Sequence, residues 1–205
     1  MRKRMDVDSV AVAEADQWMA YARGAARAYL MGHPPPLIAV HGLILDSDEA
    51  ALVQAVSFYS RWLPGDGRYV QRSTFAVGGP LFVAGSLAAT AIGNSRRAQA
   101  ARYEAAPRWR QHQSSPILLT NKRVRCCAAL SGWLSFDYGA VTEFYPDLDR
   151  WAVVFSFGDR CAPLRLEGPA VPAIVLWTAI GILGPRWRND PRLAPILPPP
   201  ASGGA

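Results

Sequence analysis

A strand, a turn and a second strand are predicted by the segment 116–127, which reads PILLTNKRVRCC. Its start, 117–119, is a short apolar run, and a run of this length that is bounded by turn residues is typical of a buried strand. Residues 120–123 have turn composition, and Val124 and Cys126 then alternate with their neighbours. We interpret the segment as the first hairpin of an antiparallel meander.

Further strands are predicted between residues 133 and 167, because side chains alternate there along short segments. The alternation assigns to one inner face the side chains of Leu134, Phe136, Tyr138, Trp151, Val153, Phe155 and Phe157. Leu164 and Leu166 form the last predicted strand. An apolar segment from Val171 to Leu183 follows, and Gly184 with Pro185 ends it. Antiparallel strands followed by one apolar helix indicate an α+β fold.

The residues LLTNKRV, at 118–124, resemble the hydrophobic, Thr-Asn-basic-Arg-hydrophobic signature of bacterial GRAM and pleckstrin-homology-like (PH-like) domains. The resemblance implies a PH-like antiparallel β-barrel of seven strands, with a C-terminal closing helix at Val171 to Leu183. It spans residues 52–183 and is interrupted by an insertion at 74–113. It also implies that Leu52 to Trp62 is the first strand, where local signals for helix and strand conflict.

The chain divides into three predicted regions. Residues 1–33 have a basic start and a helix from Asp6 to about Met31, because apolar side chains recur at spacings of three and four. We expect this helix to pack outside the barrel. Residues 34–184 form the PH-like barrel with its helical insertion. Residues 185–205 are rich in Pro and Gly and are predicted to be a flexible tail or an extended arm.

The insertion contains a long uncharged segment, Thr74 to Asn94, whose length is that of a membrane-spanning helix. Gly78, Gly79 and Pro80 break it, and a single crossing would place the two parts of one barrel on opposite sides of a bilayer. We therefore interpret the remainder as a buried or re-entrant helix. Single-pass or re-entrant membrane association through Thr74–Asn94 is the alternative.

The most basic stretch follows, and it supplies the candidate site. We predict that it continues the helix as far as Pro107. An aromatic residue between two cations suits the surface of a bilayer, where Trp lies at the interface and Arg meets phosphate. A solvated helix end is the alternative. The candidate residues for contact with anionic headgroups are Arg96, Arg97, Arg102, Arg108, Trp109 and Arg110.

Catalytic and metal-binding motifs are not found in the sequence. The histidines have no partners at metal-ligand spacing, so neither a metal nor a cofactor is predicted. A carboxylate enzyme remains a second alternative, because four acidic residues cluster in the sequence: Asp137, Glu143, Asp147 and Asp149. The 3 cysteines give no disulfide framework, since two of them are neighbours.

The predicted function is that of a non-catalytic PH-like binding module. It would contact protein partners and, in addition, an anionic membrane surface. A formal charge of +6 is too modest to favour nucleic acid as a partner. Unpaired cysteines fit a reducing compartment, so the predicted location is cytoplasmic, with the inner face of the membrane as the place of lipid contact.

Overall fold

The structure is a computed structural model that describes residues 2–64 and 105–199, with side chains from Val12 onward. Its internal contacts divide the chain into a main unit, Met1–Arg61 with Gln111–Ala205, and a smaller unit, Trp62–Arg110. The predicted segment 74–94 lies outside the described residues.

Two α-helices, seven strands and three short 3-10 helices make up the described part of the chain. The helices are α1 (Arg2–Leu30) and α2 (Val171–Leu183). The strands are β1 (Ala51–Leu63), β2 (Arg108–Thr120), β3 (Arg123–Ala128), β4 (Gly132–Asp137), β5 (Glu143–Asp147), β6 (Ala152–Ser156) and β7 (Leu164–Glu167). The 3-10 helices are Tyr138–Ala140, Gly184–Asn189 and Pro191–Leu193.

The seven strands form one antiparallel sheet in the order β4-β3-β2-β1-β7-β6-β5. Ile117 lies opposite Cys126 and Leu119 opposite Val124, which confirms the predicted hairpin. The α+β class and a first strand close to Leu52–Trp62 are also confirmed. Among the described strands β4 and β5 are the two edges and do not pair with each other, so the sheet is open and a closed barrel is not formed.

Helix α2 belongs to the core of the main unit. Its residues from Val171 to Ala179 are buried, as a helix that is apolar on all sides requires. Phe136 and Phe155 are also buried, and the ring of Phe136 lies 5.5 Å from that of Phe157. The alternation of side chains therefore predicted these inner residues correctly.

Helix α1 packs against α2, and two small residues allow the close approach. Ala22 and Ala26 are fully buried one turn apart. The indole Nε1 of Trp177 donates a hydrogen bond to the hydroxyl of Tyr21 at 3.1 Å. Gly32, with a φ of 86°, follows the end of α1, where a left-handed residue without Cβ is favoured. The predicted helix and its end are confirmed.

The basic segment after Pro107 differs from its prediction. Residues 108–113 belong to β2, whereas the prediction from the sequence was a helical insertion that includes them. Their helix propensity is adequate, but β2 is the neighbour of β1 in the sheet, and tertiary pairing overrides local propensity. Gln111, with a φ of 58°, interrupts the regular extended backbone there.

Residues 184–199, called here the C-terminal arm, also differ from the expected flexible tail. Trp187, Leu193 and Ile196 are buried. The Nε group of Arg23 on α1 donates to the carbonyl oxygen of Pro195 at 2.9 Å. Arg192 donates to the carbonyl oxygen of Phe144 on the edge strand β5 at 2.6 Å. The arm is thus fixed by buried apolar side chains and by hydrogen bonds at both sides.

Gly181 of α2 lies against a buried ring, and this contact gives a test of the core. A Cβ atom at position 181 would overlap the ring of Tyr138, whose hydroxyl donates to the carbonyl oxygen of Thr120 at 3.0 Å. This hydrogen bond restrains the ring of Tyr138, so the ring cannot easily move away from an added methyl group. We therefore expect Gly181→Ala to lower the free energy of unfolding by about 1–3 kcal/mol, measured by chemical denaturation.

Gly24→Ala is the matched control, since Gly24 also lies in a helix and a Cβ there meets no atom within 4 Å. Alanine favours a helix over glycine by about 0.5–1 kcal/mol, so this variant should be unchanged or slightly more stable. Equal stability of the two variants would contradict the packing of Tyr138 on α2.

Candidate binding surface

The turn between β2 and β3 holds a buried carboxylate. The side chain of Glu49 is only 1% exposed. It accepts hydrogen bonds from the hydroxyl of Thr120 at 2.8 Å and from Nε and Nη2 of Arg123 at 2.9 and 3.0 Å. The backbone N–H of Asp46 donates to its second oxygen at 3.1 Å. A buried charge is tolerated when its lone pairs are satisfied in this way.

The other residues of the β2–β3 turn bind the same segment as Thr120 and Arg123, namely residues 46–50, which precede β1. The side-chain oxygen of Asn121 accepts from the backbone N–H of Ala50 at 2.8 Å, and its amide donates to the carbonyl oxygen of Asp48 at 3.0 Å. Lys122 pairs with the carboxylate of Asp48. The residues that carry the resemblance to PH-like domains therefore bind their own chain, and their role in this structure is to fix residues 46–50 to the hairpin.

The pKa of Glu49 reflects the burial, the hydrogen bonds and the charge around its carboxylate. Burial alone would raise the pKa, but the hydrogen bonds from Asp46, Thr120 and Arg123, with the charge of Arg123, hold it below the ordinary value. The carboxylate is therefore ionised at neutral pH. It contributes stability above the ordinary carboxyl pKa, and that contribution is lost as the pH falls through the lowered pKa of the folded state.

The ends of β1 and β2 carry the candidate residues that the structure describes. The rings of Trp62 and Trp109 meet edge to face, with centroids 5.4 Å apart and planes at 70°. Trp62 is 41% exposed. Arg110 donates through Nε to the carbonyl oxygen of Leu63 at 3.1 Å. Residues two apart in a strand share a face, so Arg108 and Arg110 lie on the face opposite Trp109.

The remaining candidate residues cannot be placed beside this pair. Arg96, Arg97 and Arg102 lie outside the described residues, as does the segment Thr74–Asn94. Within residues 2–64 and 105–199, no helix combines the length and the apolar character needed to cross a bilayer.

The four clustered carboxylates lie around the edge strands β4 and β5. A carboxylate oxygen of Asp137 lies 3.6 Å from the guanidinium of Arg123, and one of Asp147 lies 3.7 Å from that of Arg150. These two carboxylates therefore each face a cation of the same chain. In the part of the chain that the structure describes, His, Cys, Asp and Glu side chains form no group of three that could hold a metal ion.

The neighbouring cysteines face different surroundings. Cys126 is fully buried, and burial raises the pKa of its thiol far above the ordinary value, whereas Cys127 is only half-buried and Cys161 is exposed. A thiol with a raised pKa is a poor nucleophile, and Cys126 acts here as a small apolar side chain.

The roles of two important residues were not predicted from the sequence. Trp62 was assigned only to a strand, because its contact with Trp109 depends on the proximity of β1 and β2 at this end. Glu49 was not singled out as a buried ion-pair partner. The signal for it in the sequence is the acidic segment 46–49, which directly precedes the first strand.

No protein-family model matches the chain, and comparison with curated proteins gives no significant match.

The buried carboxylate gives a test with a defined pH dependence. We expect Glu49→Gln to lower the free energy of unfolding at neutral pH by about 1.5–3 kcal/mol, because hydrogen bonds to a charged group are lost. The difference from the wild type should shrink as the pH falls from the ordinary carboxyl pKa through the lowered pKa of the folded state, because Glu49 then becomes protonated in the folded protein as well. Chemical denaturation across this pH range measures it.

Asp48→Asn is the control for that test, because the side chain of Asp48 is 74% exposed and its pair with Lys122 is screened by solvent. We expect a much smaller loss of stability for this variant. A loss as large as that of Glu49→Gln, or a Glu49→Gln effect independent of pH, would contradict the assigned role of Glu49.

Proposed function

We propose that this protein is a non-catalytic PH-like binding module that contacts an anionic membrane surface through the ends of β1 and β2. The observation that carries the proposal is the edge-to-face contact of Trp62 with Trp109 at strand ends that also carry Arg108 and Arg110, on the face of β2 opposite Trp109. These strand ends therefore combine partly exposed indoles with cations, the two side-chain types that favour the boundary between acyl chains and headgroups.

The kinship with PH-like domains is supported by the order of the elements. Seven antiparallel strands are followed by one apolar helix in the core, and the turn residues 120–123 carry the hydrophobic, Thr-Asn-basic-Arg-hydrophobic pattern. The gap between β4 and β5 is the departure from a closed barrel. We place the protein in the cytoplasm, at the inner face of the membrane when it is bound, in keeping with its free cysteines.

A non-catalytic role is supported by the ion pairs and hydrogen bonds that the charged side chains form within the fold. Glu49 and Arg123 fasten the turn, while Arg192 fastens the arm to β5. These groups are engaged in folding contacts within the protein. A binding role needs only an accessible surface of suitable chemistry, and the Trp62 side chain offers one.

The protein-partner alternative is favoured by a different observation. Val56 and Phe58 are 60% and 61% exposed on β1. They lie two residues apart and therefore on one face of the strand. A partner protein could cover them. In that case the protein would not bind anionic vesicles, and the module would act through protein contacts.

The membrane contact is tested by co-sedimentation of the full chain with phosphatidylserine-containing and neutral vesicles at low and moderate salt. We expect binding only to the anionic vesicles and weaker binding at higher salt. One arginine near such a surface contributes about 1 kcal/mol, so Arg108→Gln should lower the partition coefficient about fivefold. Trp109→Phe should lower the partition coefficient by more than Arg108→Gln does.

Arg186→Gln is the matched control, because Arg186 is exposed and lies outside β1 and β2. It should bind as the wild type does. A separate variant with Arg96, Arg97 and Arg102 changed to Gln measures whether those residues belong to the same contact. Absence of binding to anionic vesicles, or equal losses in Arg108→Gln and Arg186→Gln, would remove the membrane proposal.

A further inference from the structure

A long groove runs along the last turns of α1 and the C-terminal arm. It consists of three adjoining concavities with volumes of about 290, 310 and 370 Å³. The first and second share Leu30 and Arg188, and the second and third share Leu197 and Pro199. All lining residues belong to the main unit. We call this surface the α1–arm groove.

The middle concavity has both apolar and polar lining. Leu30 and Leu197 line it together with prolines of the arm, which present no N–H donor, and its polar lining residues are Arg188, Asn189 and Asp190. At one end the ring of Tyr29 lies 6.0 Å from that of Trp187. Concave surfaces lined mainly by apolar and aromatic groups, with a few polar groups at defined points, are typical of binding sites.

Cations line all three concavities of the groove. Arg188 lines the first and second concavities, whereas Arg23 and Arg27 line the third. Arg27 and Arg188 form no ion pair within the described part of the chain. Arg23 uses its Nε group on Pro195, and its terminal amino groups point to no described carboxylate.

The carboxylate that lines the groove, Asp190, is already occupied. It accepts from Nε of Arg192 at 2.9 Å and pairs with Nη2 at 2.5 Å, and the same arginine binds the backbone of β5. Asp190 therefore offers little charge to a ligand. The groove therefore presents Arg188 in its first two concavities, Arg23 and Arg27 in its third, and the apolar side chains of Leu30 and Leu197 between these two sets of cations.

We propose that the α1–arm groove binds an acidic peptide segment of a protein partner. Because Leu30 and Leu197 lie between Arg188 and the pair Arg23 and Arg27, the groove suits a ligand with carboxylates on both sides of apolar side chains. Arginine binds carboxylate through paired hydrogen bonds, which fixes the ligand at both ends. Apolar side chains of the same segment then cover Leu30 and Leu197.

This inference is independent of the membrane contact, because it uses α1 and the arm, whereas the membrane contact uses the ends of β1 and β2. Either can fail without the other. An anionic lipid in the groove is a different ligand with overlapping charge, so the experiment includes vesicles as a competing probe.

The test is a selection of short random displayed peptides on the full chain, followed by fluorescence anisotropy with the selected peptides. We expect the selected sequences to carry Asp or Glu on both sides of apolar residues. Reversal of two end charges in the double variant Arg27→Glu, Arg188→Glu should weaken their binding about tenfold or more. Both mutated side chains are exposed, so circular dichroism should show an unchanged fold.

Arg160→Glu is the matched control, because Arg160 is exposed and does not line the groove. It should bind the peptides as the wild type does. Selected peptides without acidic enrichment, no selected peptide, or equal binding to the double variant would overturn the proposal. Displacement of the peptides by phosphatidylserine vesicles, with loss of vesicle binding in the double variant, would assign the groove to lipid instead.

Discussion

The fold depends on a charge placed where water cannot reach it. The carboxylate of Glu49 is buried, and an ionised carboxylate in such a place is costly unless donors surround it. Thr120 and Arg123 supply those donors from the β2–β3 turn. Since β1 begins two residues after Glu49 and lies between β2 and β7, the site sets the position of a central strand against a hairpin. Misplacement of either partner would leave an unpaired charge.

Much of the sheet could be predicted from the sequence, for a physical reason. The strands β3 and β7 bury alternate side chains, so their apolar residues recur in the sequence with a period of two. The C-terminal arm has no such period. Trp187, Leu193 and Ile196 reach the core from short 3-10 turns and irregular backbone, and only the surfaces of α1 and the sheet determine which of its side chains become buried.

The candidate surface was predicted in part. The pattern of Arg108, Trp109 and Arg110 is visible in the chain itself, so the chemical character of the segment follows from the sequence. Its geometry does not, because Trp62 is more than forty residues away and meets Trp109 at the ends of β1 and β2. The buried Glu49 was hidden for a similar reason. Its partners Thr120 and Arg123 are separated from it by 71 and 74 residues.

The packing of α1 has a consequence for the way in which the protein folds. Tyr21 meets Trp177 across a sequence separation of 156 residues, and Arg23 meets Pro195 across 172. Closing such long loops costs conformational entropy, and this cost precedes the formation of the contacts. The contacts of α1 therefore add little to an early folding nucleus. Local hairpins such as β2–β3 can form first. Helix α1 then docks late, and its amide hydrogens should exchange with solvent sooner than those of the central strands.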